Sequence, residues 1–242
     1  TELTRCIHCT RCVRYGDEIA GNRELGLTGR GEFAKIETFL NSNVDSEVSG
    51  NAIDLCPVGA LTSNPFRYKA RAWELEQRPF ITNHDCLGTH AYAHVKRNKL
   101  FKVVPKECED INEIWLSDRD RFSYEGIYSS DRADSPMVKK SAEWEKQSWE
   151  DALESTVAIL QKKLSSKGAE ALCALTSPNI SLEEGYLLQK LVREIGSNNI
   201  DFRQNQVDFS NHDQADLYPG LNCKISDIDN SDLVFVIGSN MR

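Results

Sequence analysis

Cys6, Cys9 and Cys12 follow one another with two residues between each pair, and Cys56 comes more than forty residues later with Pro57 directly behind it. Three thiolates at that spacing curl around one corner of a cubane iron-sulfur cluster, because the intervening pairs let the backbone loop and point its amides at sulfur. In the bacterial run C-x2-C-x2-C-x3-C-P the fourth cysteine serves the other cluster of a pair. Here that slot is Gly16, so the triplet must be completed by the remote Cys56. The setting Cys56-Pro57-Val58-Gly59-Ala60-Leu61 keeps a Cys-Pro turn and small residues that allow close backbone approach.

Two other readings of these cysteines are weaker. A structural zinc site calls for two Cys/His pairs around a tetrahedron, and the partner of Cys56 would have to come from the clustered three. His8 lies between two of them and faces away if both bind. A disulfide framework belongs to small secreted domains, which a chain of 242 residues is not.

That length allows one to two domains and a sizeable core. No stretch approaches the roughly 20 apolar residues of a membrane span, and the first fourteen residues carry charges and cysteines where a signal peptide would be apolar. The abrupt start inside a motif predicts a piece of a longer sequence. With 37 acidic against 29 basic residues the net charge is -8, which argues against nucleic acid as a partner.

Three regions follow, with expected boundaries at 1–76, 77–136 and 137–242. Glycines break the first into short elements. Its cysteine-bearing end carries Arg5, Arg11, Arg14, Arg23 and Arg30, a positive bias that suits a net-negative cluster, although for any one arginine pairing with Glu2, Asp17, Glu18 or Glu24 is the plainer expectation. The second region predicts a hairpin, Ala91 to Val95 and Leu100 to Val104 around Arg97-Asn98-Lys99. In the third, Trp149 to Leu164 repeats apolar residues at helical spacing behind Ser148, and Ser181 to Ile195 forms a second helix closed by Gly196. The apolar stretches Ala169 to Leu175 and Leu233 to Ile237 read as buried strands. Together they imply a parallel sheet covered by helices, so the fold class is α+β to α/β. The turn Gly238-Ser239-Asn240 is too slight to make a nucleotide site.

These words carry a family resemblance. Thr4 to Arg14, Glu18 to Gly21, Glu24 to Gly26, Arg30-Gly31 and Ser49 to Ser63 closely resemble the large iron-sulfur subunit of respiratory complex I. The likeness continues through Arg71 to Leu75, Glu109 to Glu113, Trp115 to Arg119, Arg121-Phe122 and Ser148 to Leu153. It implies a small ferredoxin-like 4Fe-4S region, a short β-rich region and the start of a molybdopterin oxidoreductase-like α/β domain.

By that resemblance Cys6, Cys9, Cys12 and Cys56 ligate one 4Fe-4S cluster in the wire from NADH and FMN to quinone. Further 2Fe-2S and 4Fe-4S clusters are expected upstream, and no molybdopterin is expected downstream. Some relatives hold an extra cluster near Cys86, but Thr89, Ala93 and Ser117 stand here in place of its other cysteines. The implied partners are other peripheral-arm subunits, at the cytoplasmic side of a bacterial inner membrane or the mitochondrial matrix side. The alternatives are a related subunit of an NAD-linked hydrogenase or formate dehydrogenase, or a cluster-free interaction module.

The remaining candidates take ordinary readings. Cys86, Cys108, Cys173 and Cys223 lack spaced partners, and Cys173 is expected in a core strand. His84, His90 and His94 fit no ligand spacing, and His212 is a loop residue. No catalytic Ser-His-Asp or paired-carboxylate arrangement is present, so no acid-base chemistry is expected of this chain.

Overall fold

Glycine punctuation keeps the N-terminal elements short. Helix α1, Arg11–Arg14, runs straight into a five-residue π-type turn, Tyr15–Ile19, in which the Ala20 N–H reaches the Tyr15 carbonyl at 2.9 Å. Strands β1, Leu25–Thr28, and β2, Lys35–Thr38, pair antiparallel with Leu25 opposite Thr38. Helix α2, Asn51–Leu55, ends at Cys56. The computed structural model describes residues 2–39, 43–85, 87–140, 143–203 and 223–238. Two units separate, Thr1–Ile127 with Leu221–Arg242, and Tyr128–Gly220.

The first unit is centred on a three-stranded antiparallel sheet in the order β3-β4-β5, formed by Glu76–Ile81, His90–Lys96 and Lys99–Pro105. The expected hairpin is there: Arg97 and Asn98 both take left-handed conformations, φ 50° and 62°, as a two-residue type I′ turn requires. Strand β3 was not foreseen. Its residues are all exposed and include Pro79, so it lacks an alternating pattern, and as an edge strand it tolerates the missing donor.

Ala91 and Val103 lie on one face of the sheet and pack with Leu116 and Tyr124 into the core. The Tyr124 hydroxyl donates to the Phe101 carbonyl at 2.8 Å, and helix α3, Asp118–Phe122, packs on β5. Cross-strand neighbours His94 and Lys102 occupy the opposite face. His94 is buried with both ring nitrogens unpartnered, and burial, reinforced by the Lys102 charge, lowers its pKa to about 4.

The second unit begins with hairpin β6–β7, Met137–Lys140 and Glu143–Lys146. Both predicted helices follow. Helix α4, Trp149–Lys167, is capped by Ser148, whose hydroxyl accepts the Asp151 N–H. Helix α5, Leu182–Ile195, opens on a Ser181/Glu184 capping box and closes at Gly196, φ 97°. The strands differ from expectation. Ala169–Ala171 turns as a 3-10 helix, leaving only β8, Ala174–Leu175, to pair in parallel with β9, Ile200–Asp201. Among the described residues this pair is the whole of the expected parallel sheet. Among the described residues Leu233 to Ile237 finds no strand partner and is exposed instead of a buried strand; apolar character makes a strand only where a neighbour completes its ladder. Ser239 and Asn240 of the expected terminal turn lie outside the described residues, as does His212.

The neutral state of His94 makes stability pH-dependent. Its folded pKa lies below the unfolded value, so its contribution is complete above about pH 6.5 and is lost as pH falls toward 4. Urea unfolding of the first unit at pH 7 and pH 4.5 should therefore give a lower midpoint at the acid pH. His94→Leu should shrink that difference.

Candidate metal centre

The three clustered cysteines sit where the backbone twice enters the left-handed region. His8 has φ 53° and Thr10, the residue before α1, has φ 60°. For residues other than glycine such conformations cost on the order of 1–3 kcal/mol and persist only where the surroundings enforce them. The His8 N–H reaches the Cys6 Sγ at 3.4 Å.

Cys56 approaches from another part of the chain. Pro57 forbids the preceding residue a helical conformation, so Cys56 leaves α2 extended, with φ -76° and ψ 108°. Gly59, φ 65°, then folds the chain back, and the N–H groups of Ala60 and Leu61 approach the Cys56 Sγ at 3.2 and 3.5 Å. All four cysteines line one cavity of about 420 Å³ whose other walls include Leu25, Ile36, Ile53 and Leu61. Burial acts to raise the Cys56 thiol, but the surrounding amide donors outweigh it and hold its pKa below the usual cysteine value. At Cys12 burial prevails, helped by the nearby Cys9 and Cys6, and the pKa is raised. Among the described residues no three His, Cys, Asp or Glu side chains gather as a single-ion site. Cys6, Cys9, Cys12 and Cys56 therefore share a cavity without gathering as closely as bound ligands would.

A buried polar network fixes α2 and with it Cys56. The Asn51 side-chain NH₂ donates to the Tyr15 hydroxyl and to the carbonyls of Val48 and Leu116, each at 3.0 Å. Its oxygen accepts from the Leu116 N–H and from Arg121, also at 3.0 Å. Arg121 continues to Asp54 at 2.6 Å. Asp118 accepts from the Ser49 hydroxyl at 2.6 Å and the Gly50 N–H at 2.7 Å. Tyr15 lies against Trp115, ring centroids 5.1 Å apart. In the sequence most of these residues are only words of the resemblance, Tyr15 and Val48 lie outside it, and no local pattern marks their role. The one usable signal is Gly50, whose position would bring an added Cβ within 2.6 Å of Arg121 and Asp118.

Other singled-out residues lie elsewhere. Arg14 pairs with Glu18 at 2.9 Å as the plainer expectation has it, whereas Glu2 pairs with Arg67. Glu24 accepts the Asp45 N–H at 2.7 Å. His84 contacts the Ser123 hydroxyl at 2.6 Å, and the His90 N–H meets Asn112 at 3.1 Å. Thr89 is buried, and Ser117 caps α3 by accepting the Asp120 N–H; Cys86 lies outside the described residues. Cys173 is exposed, not in a core strand, because the strand expected around it shrinks to two residues that begin after it.

Three family models match the chain. The ferredoxin-like domain of NADH-quinone oxidoreductase subunit 3 matches 1–62, the NDSU1/NuoG-like 4Fe-4S domain of NADH-ubiquinone oxidoreductase 79–125, and molybdopterin oxidoreductase 132–242. A subunit of the NADH-quinone oxidoreductase of Rickettsia felis is 37% identical over 242 residues, covering 100% of this chain and 35% of the relative. The mitochondrial NADH-ubiquinone oxidoreductase 78 kDa subunit of Candida albicans is 36% identical, covering 100% and 33%. The mitochondrial NADH dehydrogenase [ubiquinone] iron-sulfur protein 1 of Solanum tuberosum is 38% identical, covering 100% and 32%. The chain spans about a third of the length of the curated relatives it matches.

Two glycines separate steric from conformational control of the cavity. Gly50→Ala should destabilise the first unit by about 3 kcal/mol, the range of core overpacking, because its Cβ meets Arg121 and Asp118. Gly59→Ala has open space, with no atom nearer than Arg5 Nη1 at 4.0 Å, and should lose only about 1 kcal/mol through its left-handed φ. Chemical denaturation of the two variants measures the difference.

Proposed function

Because the chain is a homologue, from end to end, of the large iron-sulfur subunit of respiratory complex I, the NADH-quinone oxidoreductase, we propose that it holds one link of that enzyme's electron wire. The ligands in this reading are Cys6, Cys9, Cys12 and Cys56. The observation that carries it is their joint presence in the lining of one cavity, with amide donors already aimed at Cys56. The donor set fits a 4Fe-4S cluster, which when bound supplies one-electron transfer.

The chain's own residues have defined tasks. The left-handed turns at His8 and Thr10 space the three local thiolates, and α2 carries the fourth to face them. N–H groups directed at sulfur stabilise negative charge there, which favours the reduced state and raises the reduction potential. Leu25, Ile36 and Ile53 keep water from the thiolates on their side of the cavity. In this reading NADH oxidation and quinone reduction belong to other polypeptides of the enzyme.

The same reading divides the chain into a cluster-binding domain at 1–76, a β-rich domain at 77–136 and the beginning of an oxidoreductase-like α/β domain at 137–242. In the middle domain Ser117 spends its side chain on a helix cap and Thr89 is buried, which supports a single cluster in the chain. The α/β part serves structurally, without molybdopterin, and the other clusters of the subunit belong to sequence upstream. The partners are the flavin- and iron-sulfur-bearing subunits of the peripheral arm, beside the cytoplasmic or matrix face of the membrane. No described helix is long and apolar enough to cross it.

Iron and acid-labile sulfide per chain test the assignment after anaerobic reconstitution. About four of each are expected, as one cubane requires. Cys56→Ala should lose the cluster and Cys173→Ala should keep it, since only the first removes a ligand. Equal loss in both variants refutes the ligand set.

A further inference from the structure

Beside the cysteine cavity lies a second hollow, about 580 Å³, walled on one side by the turn that follows Cys56 and on the other by the segment that ends in Glu74. Its charge is opposite to that of the chain as a whole. Arg5, Arg67, Lys69 and Arg71 line it against one carboxylate, Glu74. Glu74 is already engaged, accepting the Arg71 N–H at 2.9 Å and pairing with Lys96, a residue outside the hollow, at 2.9 Å. Arg67 is held by Glu2. Among the described residues Arg5, Lys69 and Arg71 have no carboxylate at ion-pair distance.

Two aromatic rings flank these cations and stand almost wholly in solvent: Tyr68 is 85% exposed and Trp73 82%. Each carries an arginine on its ring, Arg67 at 4.8 Å and Arg71 at 6.0 Å from the centroid. Tyr68 is held in the left-handed region, φ 63°, which a residue with a bulky side chain adopts only under constraint. The turn that imposes it is tied by the Arg67 N–H to the Ser63 carbonyl at 2.9 Å and the Lys69 N–H to the Phe66 carbonyl at 3.0 Å. Rigid, exposed Tyr, Trp and Arg side chains are the types that dominate binding energy at protein interfaces. A net-acidic chain that gathers its cations here has set up complementarity to negative charge.

We infer that Arg67 to Trp73, with Arg5, forms a docking surface for an acidic face of a neighbouring protein subunit, placed against the cysteine site. Carboxylates of the partner enter the hollow toward Lys69, Arg5 and Arg71, while Tyr68 and Trp73 become buried at its edges. The charge is too local and the chain too acidic for a nucleic-acid footprint. The inference rests on the reading of the chain as a subunit of a larger electron-transfer assembly, and its position lets docking seat a partner next to the electron-carrying site.

Zero-length coupling of amines to carboxylates tests it in the intact assembly that contains the full-length polypeptide. Treatment with a water-soluble carbodiimide, followed by peptide mass spectrometry, should join Lys69 to an Asp or Glu of another polypeptide. Arg71→Glu together with Trp73→Ala should cut that product by about tenfold, the scale on which hot-spot residues act. Cluster iron and the EPR signal should stay unchanged, which separates failure of the docking surface from failure of the cluster assignment. Coupling of Lys69 only within its own polypeptide would overturn the inference. So would an absent Lys69 product while other surface lysines couple, or binding of a single-stranded oligonucleotide that the double variant abolishes.

Discussion

The amide of Asn51 is the interaction on which the cysteine cavity depends. It is buried to 1% exposure, yet its hydrogen-bonding capacity is used: two N–H groups shared among three acceptors, and two acceptances at its oxygen, link α2 to Tyr15 after α1 and to Leu116 and Arg121 around α3. A buried amide without partners would cost about 1–3 kcal/mol. Satisfied, it fixes one arrangement of three distant segments, because few others would pair every atom. Cys56 ends the helix that Asn51 begins, so the network sets where the remote thiol stands relative to Cys6, Cys9 and Cys12.

Around that hub the backbone takes conformations that the sequence alone would avoid. His8 and Thr10 are left-handed without being glycine, and Gly50 admits Arg121 and Asp118 where a methyl group would not fit. The consequence is a cavity lined by four cysteines and braced from outside by Asn51, Tyr15 and Arg121, which are not among its lining residues. The proposed electron-carrying role needs little motion at its carrier, and a support fixed by buried hydrogen bonds suits that demand.

The extended turn at Cys56-Pro57 was legible because the proline rule is local. The same holds for α4 and α5, with their serine caps, and for the Arg97-Asn98 turn. The Asn51 network was not legible, since its partners lie 36 to 70 residues away for Tyr15 and Arg121 and nothing in the sequence near Asn51 names them. Strand β3 escaped notice because an exposed edge strand with a proline lacks alternation. Leu233 to Ile237 failed in the other direction: a composition suited to burial found no ladder among the described residues.

The proposed function requires four thiolates from two distant segments to serve one cubane site. Iron K-edge X-ray absorption on the anaerobically reconstituted chain tests it most directly. An all-sulfur first shell with iron neighbours beyond it is the predicted result. Nitrogen or oxygen in the first shell, or iron without iron neighbours, would contradict it.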